Sequence, residues 1–267
     1  MNPEKIFFES VSKIYEASDG TAAALDRLDL AVNQNEILAL VGPSGCGKTT
    51  TINLAAGFID PTSGRVLIDG HLAPPPDGTR AVVFQADSVF PWMTVADNVA
   101  FSLKLNGTPT EQNSSVVTHY LQLMGLVPFA SRWPRELSGG LRKRVDLARA
   151  YASGAPVLLM DEPFGSLDVI TKEDMQRLML KLWEHRPCTI LLVTHDIEEA
   201  LFLAHRVAVM TPSPGSIKET LGVPFPIPRE PSLKLTPEFM AMRRHVVELL
   251  TQAKSEATHT CPRSCLE

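Results

Sequence analysis

No apolar run in the 267 residues approaches the length of a membrane span. The most apolar stretches, "VLLM" and "TILLVTH", are strand-sized and end in polar residues. The start, "MNPEKIFFES", carries Glu4 and Lys5 and lacks the apolar core of a signal peptide. Both absences predict a protein that stays in the cytoplasm. An excess of positive charge is also missing: 25 Lys and Arg stand against 30 Asp and Glu, a net charge of −5. That balance removes any general electrostatic reason to bind nucleic acid. Cysteine is scarce, and four such residues in an intracellular chain do not make a disulfide framework. Cys261 and Cys265, in "CPRSC", are two thiols where a metal site needs more ligands.

Hydrophobic residues make up 44% and charged ones 21%, ordinary values for a globular chain able to bury a substantial core. Within it, "GPSGCGKTT" lies between the apolar runs "EILALV" and "INLAAG". Ile37–Val41 reads as a buried strand and Thr49 onward as a helix, so the glycines occupy a strand-to-helix turn. Gly42, Gly45 and Gly47 permit backbone angles that turn consecutive N–H groups toward one concavity. The positive end of the helix faces the same point, Lys48 adds an ammonium, and Thr49 offers a hydroxyl to Mg²⁺. The spacing G-x-x-x-x-G-K-T predicts a nucleotide phosphate cradle formed by Gly42, Pro43, Ser44, Gly45, Cys46, Gly47, Lys48, Thr49 and Thr50. Cys46 is either a small filler or a thiol acidified by the positive loop, and the filler reading is preferred.

The segments "KIFFESVSKIY", "LDRLDLAV" and "GRVLIDG" alternate apolar and polar residues as half-buried strands do. Later apolar strands at "AVVFQ", "VLLMDE", "TILLVTH" and "RVAVM" are separated by helical stretches. This predicts an α/β fold with a mostly parallel sheet and an antiparallel β portion. A helix is expected over Asp168–Arg186, with Met175, Leu178, Met179 and Leu182 on one core-facing side. Prolines and glycines at Pro91, Gly107, Pro109, Gly125, Pro128 and Pro134 break residues 88–135 into helical pieces. The proline-rich "TPSPGSIKETLGVPFPIPREP" cannot be a central strand and reads as loop with edge strands. A short accessory helix follows, N-capped by Thr236 with Pro237 at its first position and Phe239, Met242, Val246 and Leu249 at helical spacing. The organisation expected is residues 1–216 as one domain with a helical insert at about 88–150. Residues 217–257 form a loop and accessory helix, and 258–267 a disordered tail.

In "VLLMDEP" the strand end supplies Asp161, placed to hold Mg²⁺ through water, and Glu162, placed to orient and polarise an attacking water. "TILLVTHD" ends a further strand at His195, within reach of a transferring phosphoryl group. In "ELSGGLRKRVDLARA", Ser138, Gly139 and Gly140 precede a helix carrying Arg142, Lys143, Arg144 and Arg149. This is either a second anion-binding helix start or an ordinary cap with a solvated basic face.

Together these motifs resemble the ATP-binding subunit of an ABC transporter, a P-loop ATPase, over nearly the whole chain up to about Ser216. They come in the family's order: "GPSGCGKT", Gln85 in "VVFQ", the signature "LSGGL", "VLLMDE", the "SLD" turn at Ser166–Asp168 and His195. The resemblance implies a homodimer sandwiching two ATP molecules, each between the phosphate loop of one copy and Ser138, Gly139, Gly140 and Asp168 of the other. It also implies Tyr15 stacking on adenine, Gln85 touching Mg²⁺ or its water, and Glu162 and His195 as the catalytic pair. Thr49, Gln85 and Asp161 would be the Mg²⁺ groups. Two positions depart from the family pattern. Leu141 replaces the glutamine ending the signature, and Asn35 replaces a glycine, although asparagine also tolerates left-handed turns.

"VFPWMTVADNVAF" and "MDEPFGSLDVITKEDMQ" are similar to the importers of nitrate, of taurine and other sulfonates, and of bicarbonate. Two membrane-spanning permease subunits and an extracytoplasmic solute-binding protein are the partners this implies, with no nucleic acid. The chain would lie peripherally on the cytoplasmic face of the inner membrane. Trp92 and Met93 would meet the membrane subunit or else pack the helical insert. The alternative is a soluble ABC-type ATPase acting on nucleic acid or ribosomes. Such proteins usually carry coiled-coil insertions, zinc modules or tandem halves, none of which the sequence contains.

Overall fold

Apolar alternation in the first thirty residues is interrupted by single-residue slips, and the structure shows what causes them. In the computed structural model, which describes residues 3–17, 20–105 and 110–260, β1 (Glu4–Ala17) pairs antiparallel with β2 (Gly20–Asn33). Ile6 and Phe8 are buried, but the next buried residue is Val11, not Ser10. A register shift falls between Phe8 and Val11. There Ser10 adopts φ 45° and its N–H donates to Asp29 Oδ1 at 2.7 Å, a bulge that resets the inward face. β4 (Ser63–Ile68) and β5 (His71–Leu72) complete an antiparallel sheet in the order β2-β1-β4-β5.

The chain divides into two compact units, residues 1–76 with 189–267, and residues 77–188. The first contains that sheet and the strands β3 (Ile37–Val41), β8 (Thr189–Val193), β9 (Arg206–Met210) and β10 (Ile217–Gly222). Every residue of β3 and β8 is buried, as strands covered on both faces must be. β3 runs parallel to both β8 and β9, while β10 pairs antiparallel with β9. The proline-rich segment thus contributes a terminal strand, as its composition predicts. α1 (Lys48–Ala56) follows β3 and ends at Gly57, whose φ of 73° lets its N–H return to Leu54 O.

α6 (Ile197–Leu203) follows β8, and α7 (Pro237–Thr260) closes the described chain. Thr236 Oγ1 accepts from Phe239 N at 3.3 Å, the expected cap. α7 runs to Thr260, three residues past the end at 257 expected for the accessory helix. Phe239, Val246, Leu249 and Ala253 are buried along it, so its inner face continues on an alanine that the large-residue pattern does not reveal. Cys261 and Cys265 lie outside the described residues.

The second unit pairs β6 (Arg80–Val83) parallel with β7 (Val157–Asp161). Its helices are α2 (Val95–Leu105), α3 (Thr110–Leu123), α4 (Gly139–Ala152) and α5 (Val169–His185). Asp168 and Arg186, expected as the first and last residues of α5, are its caps. Met175, Met179 and Leu182 are buried and Leu178 half-buried, the core stripe expected. The described elements are thus mixed α/β, with parallel and antiparallel strands, as the sequence predicts.

Candidate nucleotide site

β3 delivers the chain into the glycine loop from a fully buried strand, so the loop starts from a fixed point. Gly45 and Gly47 take φ values of 78° and 95°, in the left-handed region. Gly42 is required for another reason: an added Cβ would lie 2.6 Å from Cys46 Sγ and 3.0 Å from Met210 Cβ. At Gly47 it would lie 2.8 Å from Ala24 O, so the loop is pressed between β2 and its own helix. Thr51 N and Oγ1 both donate to Gly47 O, at 2.9 and 3.0 Å, starting α1. Lys48 Nζ donates to Gly42 O at 2.9 Å and Pro43 O at 3.0 Å, so the ammonium spans the loop, and Cys46 N closes it by donating to Pro43 O at 3.3 Å. Ser44, Gly45 and Thr49 are exposed.

Cys46 has no exposed surface, and burial pushes its thiol above the ordinary cysteine range although Lys48 Nζ is 3.8 Å away. It is the small filler. Gly215, which the sequence does not single out, lies beneath the same loop. Its N–H donates to Ala24 O at 2.9 Å and its carbonyl accepts from Asp26 N at 3.0 Å. An added Cβ would clash with the Cys46 carbonyl oxygen and fall 2.8 Å from Met210 Cε. Only a glycine can back the loop so closely, and the "SPGS" turn alone gives no sign of it.

Tyr15 reaches the loop from β1. Its hydroxyl is 3.4 Å from Thr50 Oγ1, its side chain is exposed, and Lys13 Nζ lies 5.3 Å from the ring centroid. β3 and β8 run in parallel with Leu40 opposite Val193, so Gly42 and His195 leave the sheet on one edge. His195 is exposed there, and Asp196 caps α6 directly after it by accepting from Glu198 N at 2.9 Å and Glu199 N at 3.2 Å. Asn35 has φ 55°, the left-handed turn anticipated for it.

In the second unit the parallel β6–β7 pair, with Val83 opposite Met160, carries Gln85 and the acids to one sheet end. Gln85 Nε2 donates to Glu162 Oε2 at 3.2 Å. Glu162 itself has φ 44°, a conformation that non-glycine residues adopt at a cost of about 1–3 kcal/mol and that clusters at functional sites. Asp161 and Glu162 are half-buried. Ser138 Oγ accepts from Leu141 N at 3.4 Å, so the signature helix is capped through a backbone N–H and does not call on the side chain at 141. Asp168 accepts from Thr171 N at 3.1 Å, and Thr171 holds that carboxyl below the usual aspartate range. A Cβ on Gly140 would lie 2.7 Å from Thr171 Cγ2, so Gly140 and the Asp168 cap form one cluster.

The solvated basic face considered for α4 is not found. Arg142 pairs with Asp87 Oδ2 at 2.6 Å and Arg144 Nη1 donates to Met124 O at 3.3 Å. Arg149 Nη1 donates to Ser88 O at 2.8 Å, and its Nη2 to Asp146 Oδ1 at 2.9 Å. Lys143 is 1% exposed, donates to Phe84 O at 2.7 Å and Gln85 O at 3.4 Å, and burial pulls its pKa down. Four successive cations thus brace the segment 84–88 and the helical layer. Asn98, also missed from sequence, is fully buried and bonds Phe90 N, Phe90 O, Met93 O and Thr94 O, shaping the loop that bears an exposed Trp92.

The site residues therefore fall into two sets. Tyr15, the run Gly42 to Thr50 and His195 belong to the first unit. Gln85, Ser138, Gly139, Gly140, Asp161, Glu162 and Asp168 belong to the second. Among the described residues no helix is long and apolar enough to cross a membrane, and no cluster of three His, Cys, Asp or Glu is arranged to hold a metal by itself.

A family description, ABC transporter, matches residues 25–165, just over half the chain and all of the span from β2 to the acids after β7. The chain belongs to the ABC transporter family. It is 42% identical over 252 residues to a taurine import ATP-binding protein of Roseobacter denitrificans, covering 92% of this chain and 94% of that one. It is 40% identical over 254 residues to a nitrate import ATP-binding protein of Synechocystis, covering 93% and 96%. Among solved structures, a dimeric ATP-binding cassette in a post-hydrolysis state, bound to ADP and Pi, superposes with a TM-score of 0.71. That protein is 28% identical, and the match covers 82% of this chain and 99% of that one. As an ABC ATPase the chain hydrolyses ATP to drive transport.

Proposed function

We propose that this chain energises an importer of a small anion or sulfonate, such as nitrate, taurine or another alkanesulfonate, or bicarbonate. It works as a homodimer beneath two membrane-spanning permease subunits, on the cytoplasmic face of the inner membrane, with an extracytoplasmic solute-binding protein delivering the solute. The names of the taurine and nitrate import relatives support the solute class. Exposed Trp92, on a loop fastened by Asn98, supports docking of a permease there.

The observation that carries the mechanism is the Gln85–Glu162 hydrogen bond at 3.2 Å. It links the residue that would orient the attacking water to the residue adjoining the Trp92 loop. The residues present fit Mg²⁺-ATP. The glycine loop takes left-handed turns at Gly45 and Gly47 just before α1, Lys48 is braced across it, Thr49 is exposed, and Asp161 ends a buried strand. Thr49, Gln85 and Asp161 are the groups that would hold Mg²⁺, which when bound neutralises charge developing on the phosphates. The loop amides and Lys48 bind and orient the triphosphate, Tyr15 stacks on adenine, and Glu162 accepts hydrogen bonding from water and aligns it. His195 donates toward the γ-phosphoryl oxygens. Ser138, Gly139, Gly140 and Asp168 complete the second copy's site, so closure requires ATP to bind the closed pair better than the open one.

Reconstitution with the permease and binding protein in vesicles tests the assignment. ATP hydrolysis should rise when taurine, nitrate or bicarbonate is added to the lumen with the binding protein. Stimulation by nucleic acid with indifference to all three solutes would contradict it.

A further inference from the structure

The segment after β9 contains none of the motif residues, yet it makes the densest set of charged contacts to the helix that follows His195. α6 has seven residues, too short to persist without tertiary support. Its first turn is capped by Asp196, the neighbour of His195. Its last carbonyls have no helical partners, and a single side chain takes three of them. Arg229 Nη1 donates to Leu201 O at 3.0 Å, Phe202 O at 2.9 Å and Ala204 O at 2.9 Å. Arg229 Nε and Nη2 both donate to Phe225 O, at 3.0 and 2.6 Å, which fixes the guanidinium plane from its own segment.

Arg229 is 4% exposed, and burial lowers its pKa only to about 10, so it is a cation at neutral pH, at the negative end of a helix. A second tie comes from α7, where Arg243 Nε lies 3.0 Å from Glu198 Oε1 on the first turn of α6. Both partners there are partly exposed, so this pair is the weaker of the two. Between the ties, Lys234 Nζ stands 4.8 Å over the Phe202 ring, and Phe239 is fully buried, stacked on Phe225 with ring centroids 5.8 Å apart.

We propose that the segment 225–246 is a clasp that positions His195, with Arg229 as its principal positioning residue and Arg243 as a secondary one. His195 has two anchors, the buried strand β8 behind it and α6 ahead of it. The clasp secures the second. The inference rests on the reading of His195 as a group acting on the transferring phosphoryl, and it gives a role in turnover to a segment that carries none of the site motifs.

The test is a double-mutant cycle on the full chain, with steady-state ATP hydrolysis and equilibrium ATP binding as readouts. Arg229→Met should lower kcat about 10- to 100-fold, the scale of a misplaced catalytic group, with KM and ATP affinity within about twofold. Arg229→Lys should recover part of the loss. In a His195→Ala background the same Arg229→Met change should cost nothing further, because the group it positions is gone. Equal losses in both backgrounds, or a rise in KM matching the fall in kcat, would overturn the proposal. Should Arg229→Met not fold, Arg243→Ala carries the test through the same cycle, with an expected loss of about twofold to threefold. Unchanged turnover in His195→Ala alone would instead overturn the role given to His195, whatever the clasp variants do.

Discussion

Two helices in this protein start at glycines in its functional motifs, and they are built in opposite ways. The loop before α1 is shaped by missing side chains. Gly47 and the distant Gly215 let backbone meet backbone, Gly42 makes room for Cys46 Sγ and Met210, and Lys48 reaches across. The start of α4 is held by side chains. Ser138 caps it, and Arg142, Lys143 and Arg149 fasten it to residues 84–88. The first arrangement holds one ammonium against the carbonyls of Gly42 and Pro43 at the start of α1. The second uses its cations internally and offers phosphate only a hydroxyl and backbone N–H groups. Density of positive charge in the sequence is therefore no sign of a free cationic face on α4.

Substitutions can break this contrast. Lys48→Ala should produce the largest effect, a loss of at least about 10- to 100-fold in ATP affinity, since hydrogen bonds to charged groups are worth about 1.5–3 kcal/mol each. Equilibrium binding of a fluorescent ATP analogue checks it, and unchanged affinity would remove the lysine from the cradle. Gly215→Ala comes next. Its methyl group collides with the Cys46 carbonyl, and overpacking of this kind costs about 1–3 kcal/mol. Thermal unfolding and ATP binding should both weaken, while Gly222→Ala, with nothing within 4 Å of the added carbon, serves as the control. Lys143→Met should be mildest for the ligand. It removes the buried charged hydrogen bond to Phe84 O, about 1–3 kcal/mol of stability, but ATP affinity should stay within about twofold. A large loss of affinity there would mean that α4 cations serve phosphate after all.

What was legible in the sequence was local. Gly45 and Gly47 are called for by backbone angles set within a few residues, and β3, β7, β8 and β9 announce themselves as continuous apolar runs. Glu162 and Gln85 meet because parallel neighbours deliver them to one sheet end, which strand order implies. Contacts between distant parts of the chain were not legible. Gly215 lies 169 positions from Cys46, by subtraction of their numbers, and nothing in a turn of small residues tells which backbone it will touch. The basic run on α4 looks solvated because sequence shows charge without showing the carbonyls of 84, 85, 88 and 124 that absorb it. Arg229 reads as a loop cation in a proline-rich stretch, and its three carbonyl partners appear only once α6 is folded beside it. α7, by contrast, was legible nearly to its end, because its cap and apolar spacing are local.

The central claim is that two copies close on ATP and that Glu162 then directs its cleavage. Light scattering of the Glu162→Gln variant with Mg²⁺-ATP tests both halves together. The account predicts a doubling of mass on adding ATP, with hydrolysis reduced by about 10²- to 10⁴-fold, the usual contribution of a general base. A variant that stays monomeric at saturating ATP, or that hydrolyses ATP at the unaltered rate, would contradict it.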